Sequence, residues 1–211
     1  MPSAPRRILY ILALFLCIAS ALPAHAAPAV QPKQGPITIA CMRNNEPFTL
    51  ASPTGEPSGL MVDLWKLWGR KVGREVRFRM GDWPDTLEDI RKGRADIHFG
   101  LFQNAERETL LDFGPAFYPI VTSLHLPVEN KAASVEQLGQ ATVAVLKGSM
   151  QESFLREKHP QIRILACKSL DEMVVATAQG RAQAMSGDDL NVVSAVDRLG
   201  LTAKFGPPRL S

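Results

Sequence analysis

The sequence predicts an α/β fold made of two units, and three observations predict it. Short apolar runs alternate with amphipathic stretches from Ile37 to Leu199. The alternation breaks once, near Leu126 to Glu129, and then resumes in the same style. The composition, 45% hydrophobic and 21% charged, is that of a globular chain and argues against both disorder and a polytopic membrane protein. At 211 residues there is room for one large domain or two small ones.

The first 26 residues stand apart from the fold. Arg6 and Arg7 precede an apolar run from Ile8 to Leu22, and Ala24-His25-Ala26 offers a small-x-small cleavage site before Ala27. That is the layout of a secretory signal peptide, so the mature protein is expected in the periplasm. An uncleaved anchor is disfavoured, because the run falls short of the roughly 20 residues that span a bilayer. Cys17 follows Leu16 where lipidation needs a small residue, so it is not read as a lipid site. Residues 27–36, rich in Ala, Pro and Gln, read as a flexible leader. The 24 basic residues less Arg6 and Arg7, against 21 acidic ones, leave the mature chain at +1. With no basic block interleaved with aromatics, nucleic acid is a poor partner.

The elements follow in order. Ile37 to Met42 is a short strand, and Asn44 to Ser58, with Pro47, Pro53, Gly55 and Pro57, is a loop or hairpin. Gly59 to Gly73 reads as a helix whose inner stripe is Leu60, Leu64, Leu67, Trp68 and Val72, with Lys66, Arg70 and Lys71 outside. Gly73 suits its end. Glu75 to Met80 alternates like a half-buried strand. Asp82 is placed to cap a helix running to Gly93, with Pro84 in its first turn. Ala95 to Leu101 is a strand. This β-α-β-α-β order implies a mainly parallel sheet with covering helices.

Asp112 to Pro119 is loop-like, and Ile120 to Pro127 is extended. The second series then runs through a short helix at Ser134 to Leu138 and a strand at Ala141 to Leu146. A helix opens at Gly148-Ser149 and reaches about Lys158, and Ile162 to Ala166 is a strand. The next helix, Ser169 to Gln179, carries the capping-box pair Ser169 and Glu172. Ala182 to Ser186 is a strand, Asp188 to Leu199 a helix, and Gly200 to Ser211 extended. The mature chain keeps Cys41 and Cys167, which lie far apart in apolar runs and read as buried free thiols rather than a disulfide. His98, His125 and His159 lack metal-ligand spacing, so no metal or other cofactor is expected.

Several segments together carry a family resemblance. In the first series they are Glu46-Pro47-Phe48, Gly59-Leu60-Met61-Val62-Asp63-Leu64, Gly93-Arg94-Ala95-Asp96-Ile97, Gln103-Asn104-Ala105-Glu106-Arg107 and Leu111-Asp112-Phe113. Val145-Leu146-Lys147-Gly148-Ser149 and Gly180-Arg181-Ala182-Gln183-Ala184 follow in the second. Each is weak alone; in this order and spacing the chain, from about Ile37 to Phe205, resembles the family 3 extracytoplasmic solute-binding proteins of amino-acid type. Val62-Asp63-Leu64-Trp65 and Gly100-Leu101-Phe102 also resemble the variant that serves as a sensor ahead of histidine kinases or diguanylate cyclases.

The resemblance implies a periplasmic-binding-protein-like fold, two α/β lobes joined by hinge strands. Residues 37–126 would form lobe one and 127–199 lobe two, with 200–211 returning toward lobe one. The family adds a further strand and helices to lobe one after that crossing, so lobe one is expected to lack its C-terminal part. The implied activity is binding of a small polar solute, amino-acid-like or carboxylate, for ABC uptake. The alternative is a sensing module for a signalling partner. The partner would be a membrane permease or a sensor kinase or cyclase, and the protein itself a monomer.

The site residues follow from the same resemblance. Arg107 matches the arginine that grips the ligand carboxylate, for which a guanidinium offers a planar fork of donors; the bland alternative is a surface pair with Glu106 or Glu108. Gly148 and Ser149 sit at a strand-to-helix turn whose free N–H groups attract anions, or Ser149 is a plain N-cap. Met150 stands where a second hydroxyl is common. Asp188 matches the acid that pairs with a ligand ammonium, or it only caps the next helix. Phe48 matches an aromatic that lies against the ligand. Trp83, Phe117 and Tyr118 are further cleft candidates, Phe102 would narrow the cleft, and Asp63 reads as structural. An enzyme such as a periplasmic dehydratase shares this fold class, but Glu46, His98 and Asp188 are the sole acid–base candidates and no supporting constellation accompanies them, so no catalysis is expected.

Overall fold

The computed structural model describes residues 35–210. The reading of residues 1–26 as a signal peptide, and most of the leader, lie outside them. In chain order the elements are β1 (Ile37–Met42), β2 (Leu50–Ala51), β3 (Pro57–Ser58), α1 (Leu60–Val72), β4 (Val76–Gly81), α2 (Trp83–Arg91), β5 (Ile97–His98) and α3 (Ala105–Glu108). After them come β6 (Thr122–His125), β7 (Thr142–Leu146), α4 (Met150–Lys158), β8 (Arg163–Cys167), α5 (Leu170–Ala178), β9 (Ala184–Asp188), α6 (Asp189–Arg198) and β10 (Arg209–Leu210). Single 3-10 turns lie at Glu136–Leu138 and Thr202–Lys204.

The first lobe holds a parallel sheet of order β4-β1-β5. β1 and β4 pair along their whole length, from Ile37 opposite Val76 to Met42 opposite Gly81. The strand expected over Ala95 to Leu101 shrinks to Ile97 and His98, which pair with Ile39 and Ala40 at the edge of this sheet. Only these two residues find a ladder partner, so apolar pattern alone overstated the strand.

Helix α1 has the ends the sequence predicts. At Gly59, with φ 113°, a Cβ would sit 2.6 Å from the Phe48 carbonyl oxygen, so only glycine fits. Gly73 closes the helix in a left-handed conformation and donates to the Gly69 carbonyl. The predicted inner stripe, however, is on the wrong side. Leu60, Leu64, Leu67 and Val72 are 43–57% exposed, while Met61, Val62 and Gly69 are buried. Gly69 decides this: a Cβ there would come within 2.7 Å of both the Arg74 carbonyl and Val76 Cγ2, so its side alone can press on β4. The inward set Met61, Trp65, Gly69 is a second i, i+4 series, one residue out of phase with the predicted one.

The second sheet has the order β10-β6-β9-β7-β8. β8, β7 and β9 run parallel, whereas β6 pairs antiparallel with β9, and β10 antiparallel with β6, so the strand expected at the end of lobe one and the end of the return segment both join this second sheet. Alternation along β7 sends Val143 and Val145 into a cluster with Leu155 of α4, and Ala144 into one with Met173 of α5. The sheet is therefore covered on both faces. Ser169 caps α5 through the Glu172 N–H, and the Glu172 carboxylate accepts from Lys168 N–H at 2.7 Å, the predicted reciprocal arrangement shifted by one donor.

One apolar cluster joins the lobes. Ile39, Cys41, Met42, Phe48 and Phe99 of the first lobe belong to the same buried group as Cys167, Met173, Val174 and Val192 of the second. Both cysteines are buried and free, as predicted, and burial pushes their thiols up to about 12 for Cys41 and about 11 for Cys167.

Candidate functional site

Several of the candidate residues lie along the seam between the lobes, and Arg107 makes a contact on each side of it. The residue rides on the short helix α3, whose N-cap Asn104 accepts from the Arg107 N–H at 2.8 Å. Its guanidinium donates to the Phe102 carbonyl at 2.7 Å in its own lobe and to the Gly148 carbonyl at 3.1 Å in the other. Burial, and next the opposing pull of Glu106, act on the Arg107 proton, and burial wins by lowering its affinity. The surface-pair alternative is not what forms: Glu106 reaches Arg91, and Glu108 accepts from Gln103.

The Gly148 turn differs from the predicted anion site. The Gly148 N–H is taken by the Glu152 carboxylate at 2.6 Å, and the Ser149 N–H by the Leu146 carbonyl at 3.0 Å. Ser149 is a buried N-cap of α4 that accepts from the Glu152 N–H at 3.2 Å. The turn thus carries its own capping box, and its Gly148 carbonyl accepts from Arg107. Nearby, a Cβ on Gly148 would stand 3.4 Å from Leu87 Cδ1 of α2, which places that helix against the turn.

Trp83, the first residue of α2, also meets the second lobe: its N–H donates to the Lys168 carbonyl at 3.2 Å. Its ring lies edge-on to His98 with centroids 5.5 Å apart, and its buried Nε1 has no partner. His98 is fully accounted for. The Thr86 hydroxyl gives its proton to the Trp83 carbonyl at 2.7 Å, so it accepts from His98 Nε2 at 3.1 Å, and His98 Nδ1 faces the Gly100 N–H. This network assigns the neutral Nε2–H tautomer. Burial holds the imidazole down at about 4.

Asp188 ends β9 at the N-cap position of α6, but its side chain does not cap that helix. It accepts instead from Gln151 Nε2 at 2.9 Å and the Thr122 hydroxyl at 3.1 Å. Burial raises its carboxyl against the pull of these two donors. Gln151, in the first turn of α4, therefore links Asp188 to the Ser149 end of the site. Phe48 is not a ligand face in this arrangement: it is 5% exposed, belongs to the core and meets Tyr118 edge-on at 5.6 Å. Phe117 and Tyr118 are exposed, Phe117 to 63%.

The acid–base candidates are each tied elsewhere. Glu46 pairs with Arg198 at 3.0 Å, His98 with Thr86, and Asp188 with Gln151 and Thr122. Among the described residues, no three His, Cys, Asp or Glu side chains gather as metal ligands would. Sequence reasoning missed Asn104, Gln151, Thr122 and Lys168, which act through cross-lobe or cross-strand contacts. It also missed the Ser149–Glu152 box, whose S-x-x-E spacing was visible.

Known proteins resemble this chain in sequence and in fold. The virulence sensor protein BvgS of Bordetella bronchiseptica is 24% identical over 169 residues, 77% of this chain and 13% of its own length. The amino-acid-binding protein AabA of Dichelobacter nodosus is 22% identical over 72% of this chain and 62% of its own. Membrane-bound lytic murein transglycosylase F of Pectobacterium atrosepticum matches at 25% over 86% of this chain and 40% of its own. This chain therefore spans less than two thirds of each relative. A histidine kinase sensor domain similar to periplasmic binding proteins superposes with a TM-score of 0.77 at 20% identity, covering 83% of this chain and 76% of that one. The pattern of bacterial extracellular solute-binding proteins, family 3, matches residues 37–197, and the chain belongs to that family.

Proposed function

We propose that this chain binds a small polar solute, amino-acid-like or carboxylate, in the seam between its lobes and hands it to the permease of an ABC importer. The observation that carries this reading is the Arg107 guanidinium, half-buried and directed across the seam at the Gly148 carbonyl. A carboxylate taking that carbonyl's place would gain a charge-assisted, two-pronged contact, stronger than a neutral one. Asp188 lies in the second lobe and would meet a ligand ammonium, and the unpartnered Trp83 Nε1 offers one more donor. Glu46, His98 and Asp188 are each held by other partners, which favours binding without turnover. Export through residues 1–26 would place the protein in the periplasm. Among the described residues no helix is long and apolar enough to cross a membrane.

A second reading is that the chain reports occupancy to a signalling partner, a kinase or cyclase. The likeness to BvgS and to a kinase sensor domain supports it. The two readings share one ligand test. Refolded protein is screened by thermal shift against amino acids, organic acids and polyamines. A ligand at 100 times its Kd adds about 2.7 kcal/mol of stability, so the melting point should rise clearly with at least one carboxylate. A folded sample that responds to none of them contradicts solute binding of this class. Turnover of a carboxylic acid substrate by the purified protein would contradict the non-enzymatic part.

A further inference from the structure

Two neutral side chains converge on Asp188. Gln151, buried on the first turn of α4, points its amide nitrogen at Asp188 Oδ1 at 2.9 Å and at the Thr122 hydroxyl at 3.1 Å. The Thr122 hydroxyl in turn donates to the same Oδ1 at 3.1 Å. The three groups close a triangle in which Gln151 uses both of its amide N–H donors. The main chain is fixed by other bonds. Asp188 pairs with Thr122 across the sheet, and the Asp189 N–H donates to the Val121 carbonyl at 3.0 Å. These bonds hold the corner between β9 and α6 but leave the rotamer of the Asp188 side chain to be set separately. The capping bond that would hold it at a helix start is not made.

We infer that Gln151 and Thr122 are positioning residues for Asp188: they hold its carboxylate through Oδ1 and leave Oδ2 as the oxygen that meets a cationic group of the solute. The inference rests on the proposed role of Asp188 and deepens it. Burial favours the neutral acid, the two donors favour the carboxylate, and the like charge of Asp189 works against them. Burial is the largest influence and raises the Asp188 carboxyl above its ordinary range, so each donor lost would raise it further. Asp189 is the one charged group acting on Asp188 among the described residues, while α4 and β6 bring the neutral Gln151 and Thr122. Asp189 turns to the other face of the sheet, where its Oδ1 lies 3.4 Å from His125 Nε2. Thr122 and His125 stand three residues apart on β6 and so point to opposite faces. Neutral donors suit this place better than a cation. An arginine or lysine would pair with Asp188 and compete with the cationic group of a solute, whereas an amide and a hydroxyl hold the carboxylate and leave its charge uncancelled. The Gly148 carbonyl that accepts from Arg107 lies three residues before Gln151, so the start of α4 touches both charged groups of the proposed site.

A carbon-13 NMR titration of the carboxyl groups tests it on the protein alone. The Asp188 signal is identified by its loss in Asp188→Asn. In the parent it should titrate above the ordinary aspartate range. In Gln151→Met and in Thr122→Val, which remove the donors, it should move to higher pH. In Thr122→Ser, which keeps the hydroxyl, it should stay where the parent has it. A signal that holds the parent's pH in one donor-free variant removes that residue from the role, and one that holds it in both overturns the inference. If Thr122→Ser moves as far as Thr122→Val, packing and not the hydroxyl is responsible, which also overturns the role of Thr122. Should Gln151→Met fail to fold by circular dichroism, Gln151→Glu replaces it. That variant keeps the shape and puts a like charge where the donor was, so a rise is again expected and its absence counts against Gln151. No solute enters the titration, so an unresponsive ligand screen and an unmoved Asp188 signal are told apart.

Discussion

The second lobe seats five strands between α4 on one face and α5 with α6 on the other, and its Leu124, Val143, Val145 and Met173 are fully buried. The main sheet of the first lobe has three strands, β2 and β3 pairing apart from it, and on α1 alone Leu60, Leu64, Leu67 and Val72 lie 43–57% exposed. The first lobe also relies more on polar ties. Asp89 of α2, with a side chain 5% exposed, is gripped by Arg79 of β4 and Arg94 of the following turn, each at 2.5 Å. The contrast teaches that one lobe is stabilised by its own core. The other leans on a buried carboxylate held by two partly exposed arginines and on the cluster it shares across the seam.

That contrast can be broken by mutation. Asp89→Ala should have a large effect, because it removes a buried carboxylate that accepts from two arginines. Both arginines stay partly in water and Arg94 keeps Glu88, so a loss of about 1.5–3 kcal/mol in denaturant unfolding is expected. A loss near that of a surface site would remove the polar account of the first lobe. In the second lobe Met173→Ala should lower stability by about 2–5 kcal/mol, the range for truncating a buried methionine. The two losses should appear in one cooperative transition if the shared cluster couples the lobes.

A pH series sharpens the comparison. His98 titrates at 6.5 when unfolded and about 4 in place, so the unfolded chain binds the extra proton in between. Its contribution is therefore present above pH 6.5 and lost as pH falls toward about 4, amounting to at most about 3 kcal/mol. His98→Gln should flatten that part of the stability profile relative to the parent. An unchanged slope would mean that the imidazole is not held neutral by burial. The smallest effect is expected at Leu64→Ser, within about 0.5 kcal/mol, as for other exposed sites. A larger loss would show that the outer face of α1 is covered in solution.

The Leu64 case also shows where the sequence stops being readable. The limits of α1 were plain, because Gly59 and Gly73 occupy backbone conformations that other residues resist. Its inward face was not, because the helix carries two apolar series and only the close approach at Gly69 chooses between them. The alternating strands and helices, the family motifs and the free cysteines were all visible in the chain. The length of β5 was not, since it depends on how much of β1 remains to be paired. At the site, Arg107 was found from its motif, but its carbonyl partners belong to residues 5 and 41 positions away. The turn at Gly148 was misread for a local reason. The capping-box pattern recognised at Ser169 and Glu172 recurs at Ser149 and Glu152, and it occupies the N–H groups of Gly148 and Glu152.

Arg107 is the proposed carboxylate-gripping group of the seam. Titration calorimetry of the tightest carboxylate ligand against the parent and Arg107→Ala tests it directly. A hydrogen bond to a charged group contributes about 1.5–3 kcal/mol, so the variant should bind roughly 10- to 150-fold more weakly. Equal affinity of parent and variant for every carboxylate would contradict the assignment.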